Sequence, residues 1–132
     1  MKYLFDTDIL IFWLKGSSKI ESQALLAGLD NLALSTISEA ELYFGAHGSE
    51  RVARNLGTLE QLVAQLEVLP FDSESARYFG RIKGALRREG RLIEDADLMI
   101  ASVALAHERV LITGNLAHFE RIEGLRIHAW KP

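Results

Sequence analysis

The stretch Lys2-Tyr3-Leu4-Phe5-Asp6-Thr7-Asp8 decides the fold. A short apolar run that stops on a carboxylate predicts a buried parallel strand with an acid at its carboxyl end, because strands covered on both faces are continuously apolar. Leu32-Ala33-Leu34-Ser35-Thr36, Val68-Leu69-Pro70-Phe71, Val110-Leu111-Ile112-Thr113 and Arg126 to Ala129 predict further strands. Pro70 puts its strand at a sheet edge, since proline cannot donate to a ladder. Between these runs lie segments with helical character. Ile9 to Leu14 is broken by Gly16-Ser17-Ser18, Ile20 to Leu29 follows, and a helix begins at Ser38 and runs to about His47. Val52 to Leu66 carries a stripe of Leu56, Leu59, Val63 and Leu66. Asp72 caps a helix ending at Arg88 before Gly90, and Asp95 or Asp97 opens one that ends at His107. Leu116 to Arg121 predicts a single turn. Strands alternating with helices predict an α/β three-layer sandwich with a central, mostly parallel sheet of four to five strands.

A length of 132 residues predicts one domain spanning 1–132. The chain is 48% hydrophobic and 25% charged, the balance of a globular protein rather than a disordered one. No apolar stretch is long enough for a membrane span, and the run before Asp6 is too short for a signal-peptide core. The absence of cysteine excludes disulfides, thiolate zinc sites and cysteine nucleophiles, and points to a cytoplasmic location. A net charge of −3 does not advertise nucleic-acid binding, so any such role needs local positive charge or bound cations.

The acids fall where chemistry is expected. Ligands of open parallel sheets bind beyond the strand carboxyl ends. Asp6 and Asp8 follow the first strand, Thr113 to Asn115 follow the fourth, and Glu41 and Asp97 lie on the first turns of helices. Carboxylates gathered there repel one another unless a cation neutralises them, and hard oxygen ligands suit Mg²⁺ or Mn²⁺ rather than zinc. Such an ion can assist phosphodiester hydrolysis without a protein nucleophile. Each acid also has a structural explanation. Ser38-Glu39-Ala40-Glu41 fits a capping box in which Glu41 serves the helix start, and Asp95 and Asp97 suit a helix dipole. Asp95 and Asp97 are two apart and face different sides, so at most one is a ligand.

Four motifs in order resemble the PIN-domain ribonuclease toxins of the VapC family. Leu4-Phe5-Asp6-Thr7-Asp8 is similar to the opening motif. Thr36 to Ala46, with Glu41-Leu42 followed by Gly45-Ala46, is similar to the second. Glu94 to Ala101, with Asp97 ahead of Ile100-Ala101, is similar to the third. Leu111 to Arg121, then Gly124-Leu125 and Trp130, is similar to the fourth. The resemblance implies a PIN-like fold and an Mg²⁺-dependent endoribonuclease, Mn²⁺ substituting, with in-line attack by water that leaves a 5′-phosphate. It implies Asp6, Glu41 and Asp97 as the metal-binding core, Thr7 and Thr113 as assisting hydroxyls, and Asp95 and Glu39 as mere neighbours. Asn115 stands where many members carry a fourth carboxylate; an amide can still coordinate, and the accessory Asp8, often Asn in relatives, offsets the change. Expected partners are a VapB-like antitoxin, an RNA substrate and a second copy of the chain, within a higher assembly.

Arg77, Arg81, Lys83, Arg87, Arg88 and Arg91 concentrate cations on or just after one helix. A solvated face is the ordinary explanation; RNA backbone contact by Arg77, Arg81, Arg87 and Arg88 is the functional one. Trp13, Tyr43, Phe44 and Tyr78 are expected in the core or an interface rather than against bases. His47, His107, His118 and His128 lack ligand spacing and receive no role. Ile9 to Leu14 is more apolar than one buried helix face requires, which fits a groove for an antitoxin helix or a dimer contact. Two rivals compete. Asp6-Thr7-Asp8 matches the D-x-D of haloacid-dehalogenase-type phosphatases, in which Asp6 would be a nucleophile, although no convincing lysine motif follows. The other is a non-catalytic PIN-like or receiver-like binding domain.

Overall fold

The computed structural model describes residues 1–132. Five strands form the central layer: β1 (Tyr3–Phe5), β2 (Leu32–Ser35), β3 (Glu67–Leu69), β4 (Val110–Thr113) and β5 (Ile127–Ala129). Every pairing is parallel and the order is β3-β2-β1-β4-β5, so the sheet reaches the upper end of the expected strand number. β2 and β4 are buried along their whole length, as uninterrupted apolar runs require, whereas the edge strands β3 and β5 are partly exposed. Pro70 follows β3 at the edge.

The helices are α1 (Thr7–Leu14), α2 (Ser18–Ala27), α3 (Thr36–His47), α4 (Val52–Gln65), α5 (Ser73–Arg88), α6 (Asp95–Ala106) and α7 (Leu116–Phe119). None is long and apolar enough to cross a membrane. Alternation along the strands divides the apolar residues between two faces. Leu4, Ala33 and Leu111 pack with Ile82 and Leu86 of α5, Leu98 and Ala101 of α6, and Phe119. Phe5, Leu34 and Ile112 pack with Ile9 and Leu10 of α1, Ile20 of α2, Leu42 of α3 and Leu59 of α4. Trp13 belongs to this second core and meets Phe5 edge-on at 6.0 Å, as its expected packing role requires.

Two helix starts differ from expectation. Gly16-Ser17-Ser18 ends α1 but also begins α2: Gly16 takes φ +93°, and the Ser17 hydroxyl caps the next helix by accepting from Ile20 N–H. α3 begins at Thr36 rather than Ser38. Its cap is Ser35, whose Oγ accepts from Ser38 N–H at 3.1 Å. Ser38 is therefore inside the helix, the anticipated capping box does not form, and Glu41 is free of that duty.

α5 and α6 run antiparallel. Asp72 at the start of α5 meets His107 after the end of α6 at 3.5 Å, and Lys83 meets Asp95 at the start of α6 at 2.9 Å. The last turns of α5 thus lie at the end of the molecule that carries Asp97.

Candidate active site

The chain leaves β1 toward β2 and β3 on one side and returns through β4 and β5 on the other. β1 and β4 therefore flank the switch point, where the diverging connections open a crevice beyond the strand carboxyl ends. Asp6 follows β1 directly, and its N–H bonds Ile112 O of β4 at 2.8 Å. Asp6 is 5% exposed. Its Oδ1 caps α1 by accepting from Thr7 N–H at 2.8 Å, and its Oδ2 accepts from the Thr113 hydroxyl at 2.7 Å. Thr113 Oγ1 in turn accepts Asn115 N–H at 2.9 Å. Asn115 is half-buried at the start of α7 and reaches the site through this backbone bond.

Asp8 lies on the first turn of α1. Its Oδ2 accepts Gly114 N–H at 3.2 Å, while its Oδ1 is buried without a hydrogen-bond partner. Asp97, on the first turn of α6, meets His118 Nδ1 through Oδ2 at 3.3 Å. Asp95 turns away to pair with Lys83, so the two acids separate as their spacing predicts. Glu41 is exposed and accepts from the Thr7 hydroxyl at 2.7 Å, and Thr7 Oγ1 also lies 2.8 Å from the buried Ser38 hydroxyl. Thr7 has one proton and gives it to the carboxylate, so Ser38 donates to Thr7.

No lysine or arginine pairs with the acids of this edge. Burial raises the Asp6 carboxyl from 3.8 to about 7, with the charges of Asp8 and Asp97 adding to the rise and the Thr113 and Thr7 bonds opposing it. Burial likewise raises Asp8. Asp6, Asp8 and Asp97 are thus within electrostatic reach of one another. Glu41 stands across Thr7 from them, and no three acidic or histidine side chains converge on one point. The donor set nevertheless fits a hard divalent cation: carboxylate oxygens, an amide, no thiolate, and an orphaned buried oxygen on Asp8.

His118, Ser38 and Gly114 touch the site in roles that the sequence pattern does not show. Ser38 was assigned to a cap, and His118 carries no spacing signal because its partner lies 21 residues earlier. Gly114 approaches Asp8 so closely that a Cβ there would lie 3.0 Å from Asp8 Oδ2. Of the predicted RNA contacts, Arg87 and Arg88 are exposed at the Asp97 end of α5, whereas Arg77 lies ten residues back, roughly 15 Å along the helix. Arg81 stacks over the Tyr78 ring at 5.0 Å.

The PIN domain matches residues 3–125. The chain belongs to the PIN-domain family. Within that family it falls among the VapC proteins. It is 34% identical to ribonuclease VapC2 of Haemophilus influenzae over 130 residues, 98% of each chain. It is 32% identical, with the same coverage, to the tRNA(fMet)-specific endonuclease VapC of Shigella flexneri. A crystal structure of DNA-bound VapBC from Salmonella typhimurium superposes with a TM-score of 0.94 at 36% identity, covering 99% of both chains. The PIN-type sandwich expected from the motifs is the observed architecture.

Proposed function

We propose that this chain is the toxin of a type II toxin–antitoxin pair, an Mg²⁺- or Mn²⁺-dependent endoribonuclease acting in the cytoplasm as one nuclease domain. The observation that carries the proposal is the uncompensated acidic edge at the β1–β4 switch point, with Asp6 raised to about 7. Membership of the VapC group supports it. Asp6, Asp97 and Glu41 would hold the cation, with Asp8 and Asn115 accessory. The ion, when bound, supplies Lewis acidity to a phosphodiester oxygen and to a water. The remaining work belongs to the chain. Thr113 fixes the Asp6 carboxylate, the Ser38–Thr7 hydroxyl pair holds Glu41, and Arg87 and Arg88 offer backbone contacts to RNA. Attack in line by water leaves a 5′-phosphate. The phosphatase alternative gains nothing from the geometry, because the lysine that such an enzyme needs does not stand beside Asp6 or Asp8.

The antitoxin is a VapB-like partner. An apolar cleft of about 290 Å³ lined by Ile11, Leu14, Leu42, Ala46 and Leu59 runs between α1, α3 and α4, with Glu41 on its wall. Phe44, 83% exposed, belongs to the same helix. An amphipathic segment seated there would bury the surplus apolar surface of α1 and reach the acidic edge.

The test is cleavage of labelled RNA, initiator tRNA first, by antitoxin-free protein with Mn²⁺, beside Asp6→Asn and an EDTA control. Discrete fragments with 5′-phosphate ends, absent from both controls, are expected. No cleavage of any RNA pool by folded protein with Mg²⁺ or Mn²⁺ would overturn the proposal.

A further inference from the structure

One six-residue segment contacts all three aspartates. Thr113 Oγ1 donates to Asp6 Oδ2 at 2.7 Å, Gly114 N–H to Asp8 Oδ2 at 3.2 Å, and His118 Nδ1 lies 3.3 Å from Asp97 Oδ2. The segment is braced from beneath. Trp130 N–H bonds Thr113 O at 3.2 Å, Asn115 N–H bonds Thr113 Oγ1, and Phe119, beside His118, is wholly buried. An ionised Asp97 can only accept, so the hydrogen in the His118 contact sits on Nδ1. We propose that residues 113–118 form a clamp that orients the three carboxylates, and that His118 is its third arm, a positioning residue for Asp97.

The inference rests on the nuclease reading above but concerns carboxylate geometry. A histidine that fixes a neighbouring ligand acts through orientation, and removing such an outer partner typically weakens metal binding or activity roughly 10–100-fold. A similar histidine–aspartate pair exists far from the site: His107 meets Asp72, which caps α5. It provides a control with the same chemistry and no part in the acidic edge.

The experiment compares wild type, His118→Ala, His118→Asn and His107→Ala. Mn²⁺ affinity is read by electron paramagnetic resonance, and kcat and KM by RNA cleavage. Asparagine places an N–H donor near the Nδ1 position. His118→Ala is expected to weaken Mn²⁺ binding and lower kcat by roughly tenfold each, leaving KM for RNA within about twofold. His118→Asn recovers most of both, and His107→Ala stays at wild type. In metal-free protein at alkaline pH, ¹⁵N spectra show the Nδ1–H tautomer for His118. Wild-type values for His118→Ala, or no recovery in His118→Asn, would overturn the clamp. A wild type that cannot cleave RNA while its Mn²⁺ affinity still follows the His118 series would sink the nuclease reading and sustain the clamp. A wild type that binds no Mn²⁺ overturns both.

Discussion

The two ends of the sheet treat carboxylates in opposite ways. At the amino end, Glu67 meets Arg109, itself only 7% exposed, at 2.6 Å, and this bond holds the Glu67 carboxyl below its usual range. Away from the switch point, Asp72, which follows β3 and caps α5, is likewise lowered, by the N–H and hydroxyl of Ser75. At the carboxyl end, Asp6 and Asp8 are raised by burial, with no lysine or arginine beside them. Glu67 has a cation and Asp72 stays open to solvent, whereas Asp6 and Asp8 are drawn out of water beside one another and their hydrogen bonds do not offset the burial. A chain that keeps such an arrangement keeps it at a cost to its own stability, as carboxylates at functional sites commonly do.

The largest expected effect separates the two ends by activity. Asp97→Asn should reduce RNA cleavage about a hundredfold or more, since it removes a ligand rather than an outer partner. Arg109→Met should leave cleavage unchanged and lower stability by about 1–2 kcal/mol, through lost packing and the Tyr3 carbonyl contact, because exposed Glu67 returns to water. Steady-state cleavage and chemical denaturation of both variants check this, and equal losses of activity would erase the contrast.

The next effect is on stability against pH. A carboxyl whose folded pKa is raised stabilises the fold fully below its unfolded value, near 3.8, and that stability is lost as pH rises through about 7. Glu67 and Asp72 have the opposite sign: their contribution is present above the ordinary carboxylate range and is lost as pH falls through their lowered values. Without metal, Asp6→Asn should therefore stabilise the protein by on the order of 3 kcal/mol at pH 8, the difference closing toward pH 4. Thermal melts in EDTA across that window measure it; a pH-independent difference would break the comparison.

Much of this contrast was legible in the sequence, and the remainder has identifiable causes. The apolar run into Asp6, the proline at the edge strand and the Asp95/Asp97 spacing were sufficient for the sheet and for the sides the two acids take. Ser38 misled because Ser35, Thr36 and Ser38 are all cap-forming types within four residues, and only the exit of β2 decides among them. The Gly16-Ser17-Ser18 break concealed a cap for the same reason. His118 was illegible because its significance lies in a contact with a helix that enters the site from another part of the chain. Spacing reports neighbours on one element and is blind to such meetings.

The smallest expected effect concerns the cations of α5. Arg87→Gln with Arg88→Gln should raise KM for RNA and reduce the salt slope of binding by about 1.4, two contacts at roughly 0.7 each for single-stranded RNA. Arg77→Gln, farther from Asp97, should change the slope little. Binding measured across a salt series distinguishes these from a solvated face, for which no variant would shift the slope.

The central claim, that the switch-point carboxylates await a divalent cation, is tested most directly by calorimetric titration of Mn²⁺ into metal-free protein at pH 7, in buffers of different ionisation enthalpy. With Asp6 near half-protonated at that pH, binding should release protons, and both binding and release should fall in Asp6→Asn. Absence of binding, or binding without proton release that Asp6→Asn leaves intact, would contradict it.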